Sequence, residues 1–311
     1  MSFMERALDL AERGRGTTYP NPLVGAVVAR GGEIVGEGWH ARAGEPHAEV
    51  HALRKAGESA RGAMLYVTLE PCAHHGRTPP CTDAVIAAGV ARVVVASRDV
   101  TPAARGGIER LRAAGVDVEV DERWEARALN AGWFSVHERG RPWVILKLAT
   151  TLDGGVAVPG RRWLTGEQAR RRVHELRAWV DAVAVGMATV RADSPRLDAR
   201  GVDAPKQPRR LAFGRGPLPQ GSDLELRTGA LSDELRALAT EGVQTLLLEG
   251  GPKLAASFFA DDLVDEVRWF LAPLVGGDPK LPPLAHARDL RHPRVEIAGD
   301  DVLVHGYVHE P

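Results

Sequence analysis

Three potential zinc ligands lie in two short segments of the first third of the chain. The segment EPHAEVHAL carries His47 and, two residues later, Glu49, and the segment TLEPCAHHGRTPPC carries Cys72 and Cys81, the two cysteines of the chain. Zinc prefers thiolate and imidazole ligands, and three protein ligands leave a fourth tetrahedral position for a water whose pKa falls to about 7. We therefore predict a catalytic zinc site at His47, Cys72 and Cys81.

A fourth protein ligand would instead close the site and make it structural. His51 lies four residues after His47, where it can share one helix face, and His75 follows Cys72 in a predicted loop. We expect neither histidine to bind the metal, because hydrolysis requires an open position. Burial of the two cysteines as small core residues is the alternative without a metal.

The segments HAE and EPC match the signature of zinc deaminases, in which a glutamate moves protons beside the metal without binding it. Glu49 is therefore the predicted proton carrier. The second cysteine departs from that signature, because eight residues rather than two separate Cys72 from Cys81.

Length and composition exclude several other classes of protein. A chain of 311 residues with 44% hydrophobic residues favours two domains. The formal net charge of −1 argues against a nucleic-acid coat or a membrane-surface protein. We find no run of about 18 apolar residues, and MSFMERALDLAERGRG reads as an amphipathic helix rather than a signal peptide. We expect a cytoplasmic protein that contacts neither membrane nor nucleic acid.

The apolar pattern predicts an α/β domain over residues 1–120. GAVVARGGEI reads as a hairpin around a Gly-Gly turn, and helices and strands then alternate through AMLYVTLEP, CTDAVIAAG, RVVVAS and GGIERLRAAGVDVEV. The order β, β, α, β, α, β, α, β is typical of a three-layer α/β fold. The polar segment 121–142 is predicted to be a connecting helix that Pro142 ends.

Residues 143–311 show a second α/β pattern. WVILKLAT, DAVAVG, TLLLEGG, VDEVRWFLAP and DDVLVHGYV read as strands, and TGEQARRRVHELRAWV and PKLAASFFADDL as helices. The run ARGVDAPKQPRRLAFGRGPLPQGSD predicts mainly loops. Gly250 and Gly251 join a strand to a helix, which leaves backbone N–H groups free for a phosphate, although a plain turn has the same pattern. We find no G-x-G-x-x-G segment, which disfavours a Rossmann domain.

Both halves resemble one known family, the bifunctional riboflavin biosynthesis deaminase-reductases called RibD or RibG. NPLVGAVV, GEPHAEVHAL and PCAHHGRTPPC are similar to its deaminase half, and LKLATTLDGGVA, WLTGEQARRRVHELRAWV and TLLLEGGPKLAASF are similar to its reductase half. The resemblance implies an N-terminal cytidine-deaminase-like three-layer α/β/α domain and a C-terminal dihydrofolate-reductase-like α/β domain. It also implies Zn²⁺ and NADPH as cofactors, and a homo-oligomer that assembles through the reductase domain.

The resemblance implies two consecutive reactions on one small phosphorylated pyrimidine. The first is zinc-dependent hydrolytic deamination of 2,5-diamino-6-ribosylamino-4(3H)-pyrimidinone 5′-phosphate, with Glu49 as the proton carrier. The second is NADPH-dependent reduction of the ribosyl group to a ribityl side chain. His74 and Arg77, just past Cys72, offer hydrogen-bond donors for a phosphate, which agrees with such a substrate.

By position, the resemblance assigns further residues to the substrate, the cofactor and catalysis. The substrate would contact Asn21, His40, His74, Arg77, Arg161, Arg177, Leu197 and Arg200. NADPH would contact Thr150, Trp163, Thr189, Asp193, Gly250 and Gly251. Lys147 and Glu249 are the candidates for polarising or protonating the group that is reduced. Each assignment has a plain alternative, such as an ion pair on a helix surface for Arg177 or a turn cap for Asp193.

The chain departs from the family pattern in the second domain. Where the family has a strand that ends in Asp-Ser, the segment RRLAFGRG places Gly214 and Arg215. Arg215 can replace the missing contacts to the 2′-phosphate of the cofactor, because an arginine near that phosphate is the usual basis of NADP preference.

Two other functions remain open from the sequence. A tRNA-editing deaminase with an RNA-binding appendage would require a basic and aromatic surface, whereas 5% of the residues here are aromatic. A structural zinc module attached to a plain reductase would keep all of its turnover after the loss of Glu49.

Overall fold

The chain folds into two compact units. The structure is a computed structural model that describes residues 1–75, 79–102, 106–278 and 287–311. The first unit comprises Met1–Glu138 with Pro311, and the second comprises Arg139–Glu310. Within these described ranges, no helix is both long enough and apolar enough to cross a membrane.

Helices and strands alternate through the first unit. Its elements are α1 (Phe3–Glu12), β1 (Gly25–Arg30), β2 (Glu33–Trp39), α2 (Ala48–Ala56), a 3₁₀ turn (Gly57–Ala60), β3 (Met64–Val67), α3 (Cys81–Ala88), β4 (Arg92–Val95), α4 (Gly107–Ala113), β5 (Asp117–Val120), α5 (Trp124–Leu129) and α6 (Ala131–Arg139). The predicted order from β1 to β5 is confirmed.

The five strands form one sheet in the order β2-β1-β3-β4-β5. β1 is antiparallel to β2 and β3, whereas β3, β4 and β5 are parallel. The connection from β1 to β2 is the predicted hairpin. Its Gly31 and Gly32 have φ values of 61° and 85°, which glycine adopts without the steric cost that a side chain would add.

Helices cover both faces of this sheet. Val28 of β1 belongs to the same buried core as Ala52 of α2 and Ile108 of α4. The adjacent Val27 belongs to a second core, with Leu10 of α1. Successive side chains of a strand point to opposite faces, so a continuously apolar strand requires a covering layer on each side. The expected three-layer α/β/α architecture is confirmed.

Residues 121–138 belong to the first unit and do not form the single connecting helix that we expected. The helix breaks at Asn130, whose buried side chain binds the loop before β1. The Leu23 N–H donates to Asn130 Oδ1 at 2.7 Å, and Asn130 Nδ2 donates to the Leu23 carbonyl at 2.9 Å. Phe134 of α6 then packs against Leu69. These buried contacts hold the segment to the first unit.

The second unit contains a larger sheet with helices between its parallel strands. Its elements are β6 (Trp143–Thr150), α7 (Glu167–Trp179), β7 (Ala182–Gly186), α8 (Met187–Asp193), β8 (Arg209–Phe213), β9 (Glu225–Arg227), α9 (Leu231–Thr240), β10 (Thr245–Leu248), α10 (Pro252–Ala260), β11 (Glu266–Leu271), β12 (Arg291–Ala298) and β13 (Asp301–Tyr307). The strands and helices predicted in this half are confirmed, whereas α8, β8, β9, α9 and β12 were not predicted.

Eight strands pair in the order β12-β13-β11-β6-β10-β7-β8-β9. The strands from β11 to β9 in this order are parallel, and β13 is antiparallel to both β11 and β12. The carboxyl ends of β6, β10, β7 and β8 therefore lie along one edge. Ligands of open α/β sheets bind outside that edge.

Asn130→Ala removes both hydrogen bonds to Leu23 and leaves a buried N–H and a buried carbonyl unpaired. Each unpaired buried group costs about 1–3 kcal/mol, so we expect the unfolding free energy of the first unit to fall by about 2–4 kcal/mol. Urea unfolding followed by circular dichroism measures the change. Glu125→Ala, at an exposed position of α5, is the matched control and should change it by less than about 0.5 kcal/mol. Equal stability of Asn130→Ala and the wild type would contradict this role of Asn130.

Candidate functional site

His47, Cys72 and Cys81 converge in the first unit. The possible ligand atoms of the three side chains all lie within 4.8 Å of one another. His47 Nδ1 is 3.1 Å from Cys81 Sγ and 3.7 Å from Cys72 Sγ. Both cysteines are free of disulfide bonds. Two sulfurs and one imidazole nitrogen at this spacing fit a tetrahedral zinc ion with one position open.

Each of these ligands lies at the end of a regular element. His47 precedes α2 directly, and Cys81 is the first residue of α3. Cys72 follows β3 through a short loop, and its sulfur accepts a hydrogen bond from the backbone N–H of Cys81 at 3.4 Å. The amino-terminal ends of two helices thus meet beyond the carboxyl end of β3. The partial positive charge of a helix start favours a thiolate.

The cluster stabilises an ionised Cys72. The hydrogen bond with the Cys81 thiol lowers the pKa of Cys72 most, the His47 ring lowers it further, and burial acts in the opposite direction, which leaves this pKa at about 4. The contact with Cys72, together with burial, raises the pKa of Cys81. The two sulfurs thus share one proton. A zinc ion would take the place of that proton and bind both sulfurs as thiolates.

Glu49 lies on the first turn of α2, outside the group of three ligands. Its side chain is buried, and Oε2 has no hydrogen-bond partner among the described residues. Burial raises the pKa of Glu49, and the charge of His47 lowers it. Because a buried oxygen without a partner is costly, a proton of a bound ligand would be stabilising here. This environment suits a carboxylate that accepts and returns protons.

The two alternative ligands do not join the cluster in the part of the chain that the structure describes. His51 packs over Gly38 of β2, where a Cβ added to the glycine would lie 2.6 Å from the Cβ of His51. His75 is exposed. The cluster therefore offers three candidate ligands, which would leave one tetrahedral position of a zinc ion open.

A cavity of about 730 Å³ adjoins the cluster. Of the predicted substrate residues, Asn21, His40 and His74 line it. Asn21 Nδ2 donates to His40 Nε2 at 3.1 Å, and His40 Nδ1 faces the Pro46 carbonyl at 3.4 Å. Burial lowers the pKa of His40, which favours the neutral ring. Arg77, the predicted phosphate ligand, lies outside the described residues.

The cavity also includes Asp99, Trp133 and His137, which the sequence did not identify. Asp99 Oδ1 accepts hydrogen bonds from the N–H and hydroxyl of Thr101 at 2.7 and 2.6 Å. The rings of Trp133 and His137 on α6 are 4.8 Å apart. The place of Asp99 just beyond the carboxyl end of a parallel strand is a signal that could have identified it. α6 lies in the segment that we predicted to be a connecting helix, and nothing in that segment identified Trp133 or His137 as site residues.

Lys147, Arg177 and Glu249 form a largely buried charged cluster in the second unit. Arg177 Nε and Nη2 donate to the two oxygens of Glu249 at 2.6 and 2.9 Å, and Nη1 donates to the Asp198 carbonyl at 3.1 Å. Burial raises the pKa of Glu249, but the charge and hydrogen bonds of Arg177 outweigh it and leave the pKa below its usual range. Burial lowers the pKa of Lys147. Arg177, predicted as a phosphate ligand, holds a protein carboxylate in this structure.

Several predicted cofactor residues lie along the carboxyl edge of the parallel strands. Thr150 ends β6, and its hydroxyl accepts a hydrogen bond from Trp269 Nε1 at 2.9 Å. Gly250 and Gly251 lead from β10 into α10. A Cβ added to Gly251 would lie 3.2 Å from the hydroxyl oxygen of Thr189 on α8. Bare glycines, a hydroxyl and a helix start are groups that fit the pyrophosphate of NADPH.

The remaining predicted cofactor residues are accessible. Trp163 is 51% exposed and lies between Arg162 and Arg170, whose guanidinium carbons are 5.1 and 5.5 Å from its ring. Asp193 is exposed at the last residue of α8. Both side chains are therefore open to a ligand.

The remaining predicted substrate residues are Arg161, Leu197 and Arg200. Arg161 and Arg200 are exposed, and Arg200 forms an ion pair with Asp198. Leu197 is buried and has a φ of 55°, a conformation that is costly for a residue other than glycine. Because the Asp198 carbonyl binds Arg177, this strained segment is anchored to the ion pair of Arg177.

Family models match both units. The model of the RibD C-terminal domain matches residues 142–304, and the model of the cytidine and deoxycytidylate deaminase zinc-binding region matches residues 1–97. The three clustered ligands and Glu49 fall inside the second match. Lys147, Arg177 and Glu249 fall inside the first.

Relatives and solved structures agree over nearly the whole chain. The chain is 41% identical to the riboflavin biosynthesis protein RibD of Escherichia coli (strain K12), over 97% of this chain and 98% of that protein, and 39% identical to RibD of Aquifex aeolicus, over 97% of each. RibD of Acinetobacter baumannii, form 1, superposes with a TM-score of 0.87 at 35% identity and covers 98% of this chain and 97% of its own. The Thermotoga maritima diaminohydroxyphosphoribosylaminopyrimidine deaminase/5-amino-6-(5-phosphoribosylamino)uracil reductase superposes with a TM-score of 0.87 at 32% identity, over 98% and 97% of the two chains. These matches and the two sites show that the chain belongs to the RibD family of riboflavin biosynthesis proteins.

Proposed function

We propose that the first unit removes an amino group from 2,5-diamino-6-ribosylamino-4(3H)-pyrimidinone 5′-phosphate, and that the second unit reduces the ribosyl group of the product. The chain is a bifunctional deaminase and reductase of riboflavin biosynthesis. Its second half is a RibD C-terminal domain and not an RNA-binding appendage. The observation that carries the residue assignment is the convergence of His47, Cys72 and Cys81 beside the unpartnered oxygen of Glu49.

Glu49 is the proposed proton carrier of the deamination. A zinc ion held by His47, Cys72 and Cys81 would act as a Lewis acid and would lower the pKa of a bound water to about 7. Glu49 Oε2 takes one proton from the attacking water and returns it to the adjacent ring nitrogen. It then carries the second proton of the water to the amine, which leaves as ammonia while a ring carbonyl remains. The raised pKa of Glu49 favours both acceptance and return of a proton.

Asn21, His40 and His74 are the proposed substrate contacts in the first unit. The Asn21 amide donates to His40, so the Asn21 side-chain oxygen remains available to accept a hydrogen bond from an amino group of the pyrimidine. His74 is exposed at the cavity, where it can donate to a phosphate. Arg77 stays a predicted phosphate ligand.

Lys147 is the proposed proton donor of the reduction. NADPH supplies a hydride to the sugar carbon that is bonded to nitrogen. The bond from that carbon to the ring oxygen breaks, and the oxygen must then gain a proton. Burial makes Lys147 a stronger acid than an ordinary lysine, whereas Arg177 keeps Glu249 ionised. Glu249 therefore acts as a fixed anion that can orient a hydroxyl group of the sugar.

The proposed homo-oligomer assembles through one face of the second sheet. Val295 and Ile297 of β12 are 67% and 69% exposed. Their register partners on β13 are Val304 and Val302, and the partner of Val304 on β11 is Trp269. Register partners point to the same face, so apolar side chains of three neighbouring strands form one continuous surface. A second copy of the chain is the occupant that an exposed apolar face of this extent favours.

Glu49→Gln keeps the size of the side chain but removes its ability to carry a proton. We expect ammonia release from the diaminopyrimidinone ribotide to fall by about 10²–10⁴-fold, with an unchanged zinc content. NADPH oxidation with the deaminated ribotide should continue. Inductively coupled plasma spectrometry measures the metal, and ammonia and absorbance at 340 nm are followed separately.

Two further variants give the matched comparison for zinc. Cys72→Ala removes one of the three proposed ligands and should lose the metal, whereas His51→Gln, two residues after Glu49 on α2, should retain it. Wild-type protein without zinc, or Glu49→Gln with full deaminase activity, would contradict the assignment.

The reduction should depend on the protonated form of Lys147. Burial lowers the pKa of Lys147 below its usual value of about 10.4, Glu249 raises it, and Arg177 lowers it. A general acid works only while protonated, so kcat/KM for NADPH-dependent reduction should fall as the pH rises through this lowered pKa. Lys147→Arg should remove this alkaline limb, because a guanidinium stays protonated. Persistence of the limb in Lys147→Arg would assign the titration to another group.

The double variant Val295→Asp/Ile297→Asp should dissociate the oligomer, because it places charges on the apolar face. Light scattering coupled to size-exclusion chromatography measures the mass. Ile34→Asp, which changes a 42% exposed side chain of the first unit, is the matched control and should leave the mass unchanged. If the double variant has the same mass as the wild type, this face is not the interface of the oligomer.

A further inference from the structure

Two exposed arginines, Arg191 and Arg215, lie together near the end of β8. Arg191 Nη2 of α8 donates to the carbonyl oxygen of Arg215 at 3.0 Å. Both residues are exposed, and neither forms an ion pair with a carboxylate in the described ranges. By contrast, Arg209 and Arg227, on the adjacent strands β8 and β9, both pair with Glu241. The donors of Arg191 and Arg215 are thus available to an anion from outside the chain.

Glycines place the loop that carries Arg215 directly against α8. Gly214 and Gly216 have φ values of 133° and 96°. A Cβ on Gly214 would lie 3.0 Å from Met187 Cγ, and a Cβ on Gly216 would lie 2.7 Å from Arg191 Nη2. Both φ values are costly for a residue with a side chain, and a Cβ at residue 216 would also displace the end of the Arg191 side chain. The glycines therefore allow the backbone of Arg215 to hold the Arg191 guanidinium.

The arginine pair lies on the edge of the sheet that carries the proposed pyrophosphate site. β10, β7 and β8 are neighbours and parallel, so their carboxyl ends follow one another along this edge. Gly251 follows β10 and adjoins Thr189 of α8. Arg191 lies two residues after Thr189 on the same helix. A nucleotide whose pyrophosphate rests at Gly251 can therefore extend its adenosine ribose toward Arg191 and Arg215.

We propose that Arg191 and Arg215 bind the 2′-phosphate of NADPH and select this cofactor over NADH, an inference that rests on the proposed cofactor position at Thr189, Gly250 and Gly251. A dianionic phosphate matches the planar donor forks of two arginines. NADH lacks the phosphate and has only a hydroxyl at that position. Arg215 lies in the segment where the family pattern has Asp-Ser, and Arg191 reaches this segment from α8.

Nucleotide fragments test the proposal without catalysis. Isothermal titration calorimetry of the full chain with 2′,5′-ADP and with 5′-AMP isolates the contribution of the 2′-phosphate. We expect the wild type to bind 2′,5′-ADP at least about tenfold more tightly than 5′-AMP, since a charge-assisted hydrogen bond contributes about 1.5–3 kcal/mol. Arg215→Gln and Arg191→Gln should each weaken 2′,5′-ADP about tenfold and change 5′-AMP by less than about twofold. The double variant should bind the two fragments equally.

Arg215→Gln is the more selective of the two variants, because Arg191 binds the backbone carbonyl of residue 215 and not its side chain. Arg236→Gln, which changes an exposed arginine of α9, is the matched control and should leave both affinities unchanged. The preference of the wild type for 2′,5′-ADP should also decrease as the salt concentration rises.

The possible failures are distinguishable. A wild type that binds both fragments equally, or single variants that keep the full preference, would overturn the role of the two arginines while leaving the cofactor site intact. Equal losses of both fragments in Arg215→Gln would also overturn it, because the phosphate would then not be the group recognised. Failure of the proposed function would appear separately, as NADPH binding without reduction of the deaminated ribotide.

Discussion

The close packing of α2 on the β1–β2 hairpin sets the geometry on which the first site depends. A Cβ on Gly36 would lie 2.2 Å from the Ala52 carbonyl oxygen, and a Cβ on Gly38 would lie 2.4 Å from the Ala48 carbonyl oxygen. Helix and strand backbones are therefore in direct contact, which glycine alone permits. This contact holds the start of α2 in place, and with it both His47 and Glu49. The two cysteines complete the cluster because Cys81 begins α3 and Cys72 lies just beyond β3.

The two units use buried glutamates in opposite ways. Among the described residues, one oxygen of Glu49 has no hydrogen-bond partner, and burial raises the pKa of Glu49. Glu249 is largely buried and accepts hydrogen bonds from two nitrogens of the Arg177 guanidinium, and its pKa is lowered. The first environment suits a group that gains and loses protons, whereas the second suits a permanent anion. Pairs of groups whose environments separate their pKa values are typical of acid and base assignments in enzymes.

The proposed zinc ligands and Glu49 could be identified from the sequence because short motifs contain them. His47 and Glu49 are two residues apart at a helix start, and the cysteines are the only ones in the chain, so few arrangements were possible. The sequence also predicted β6, β7 and β10, because parallel strands that are buried on both faces are continuously apolar. The edge strand β12 was not predicted, since its exposed residues mix apolar and charged side chains. The sequence also did not predict that residues 121–138 belong to the first unit, because this depends on the contacts of Asn130 with the loop before β1.

The sequence by itself determined the α/β class, the alternation of strands and helices and the candidate metal ligands, because each depends on local spacing and on the chemistry of single residue types. Only the tertiary structure decided the partners of buried charges and of distant loops. Arg177 binds Glu249 across 72 positions of the chain, and Arg191 reaches the loop at Arg215 across 24. Such pairings follow from strand order and helix placement, since long side chains bind whichever groups the completed fold brings within reach.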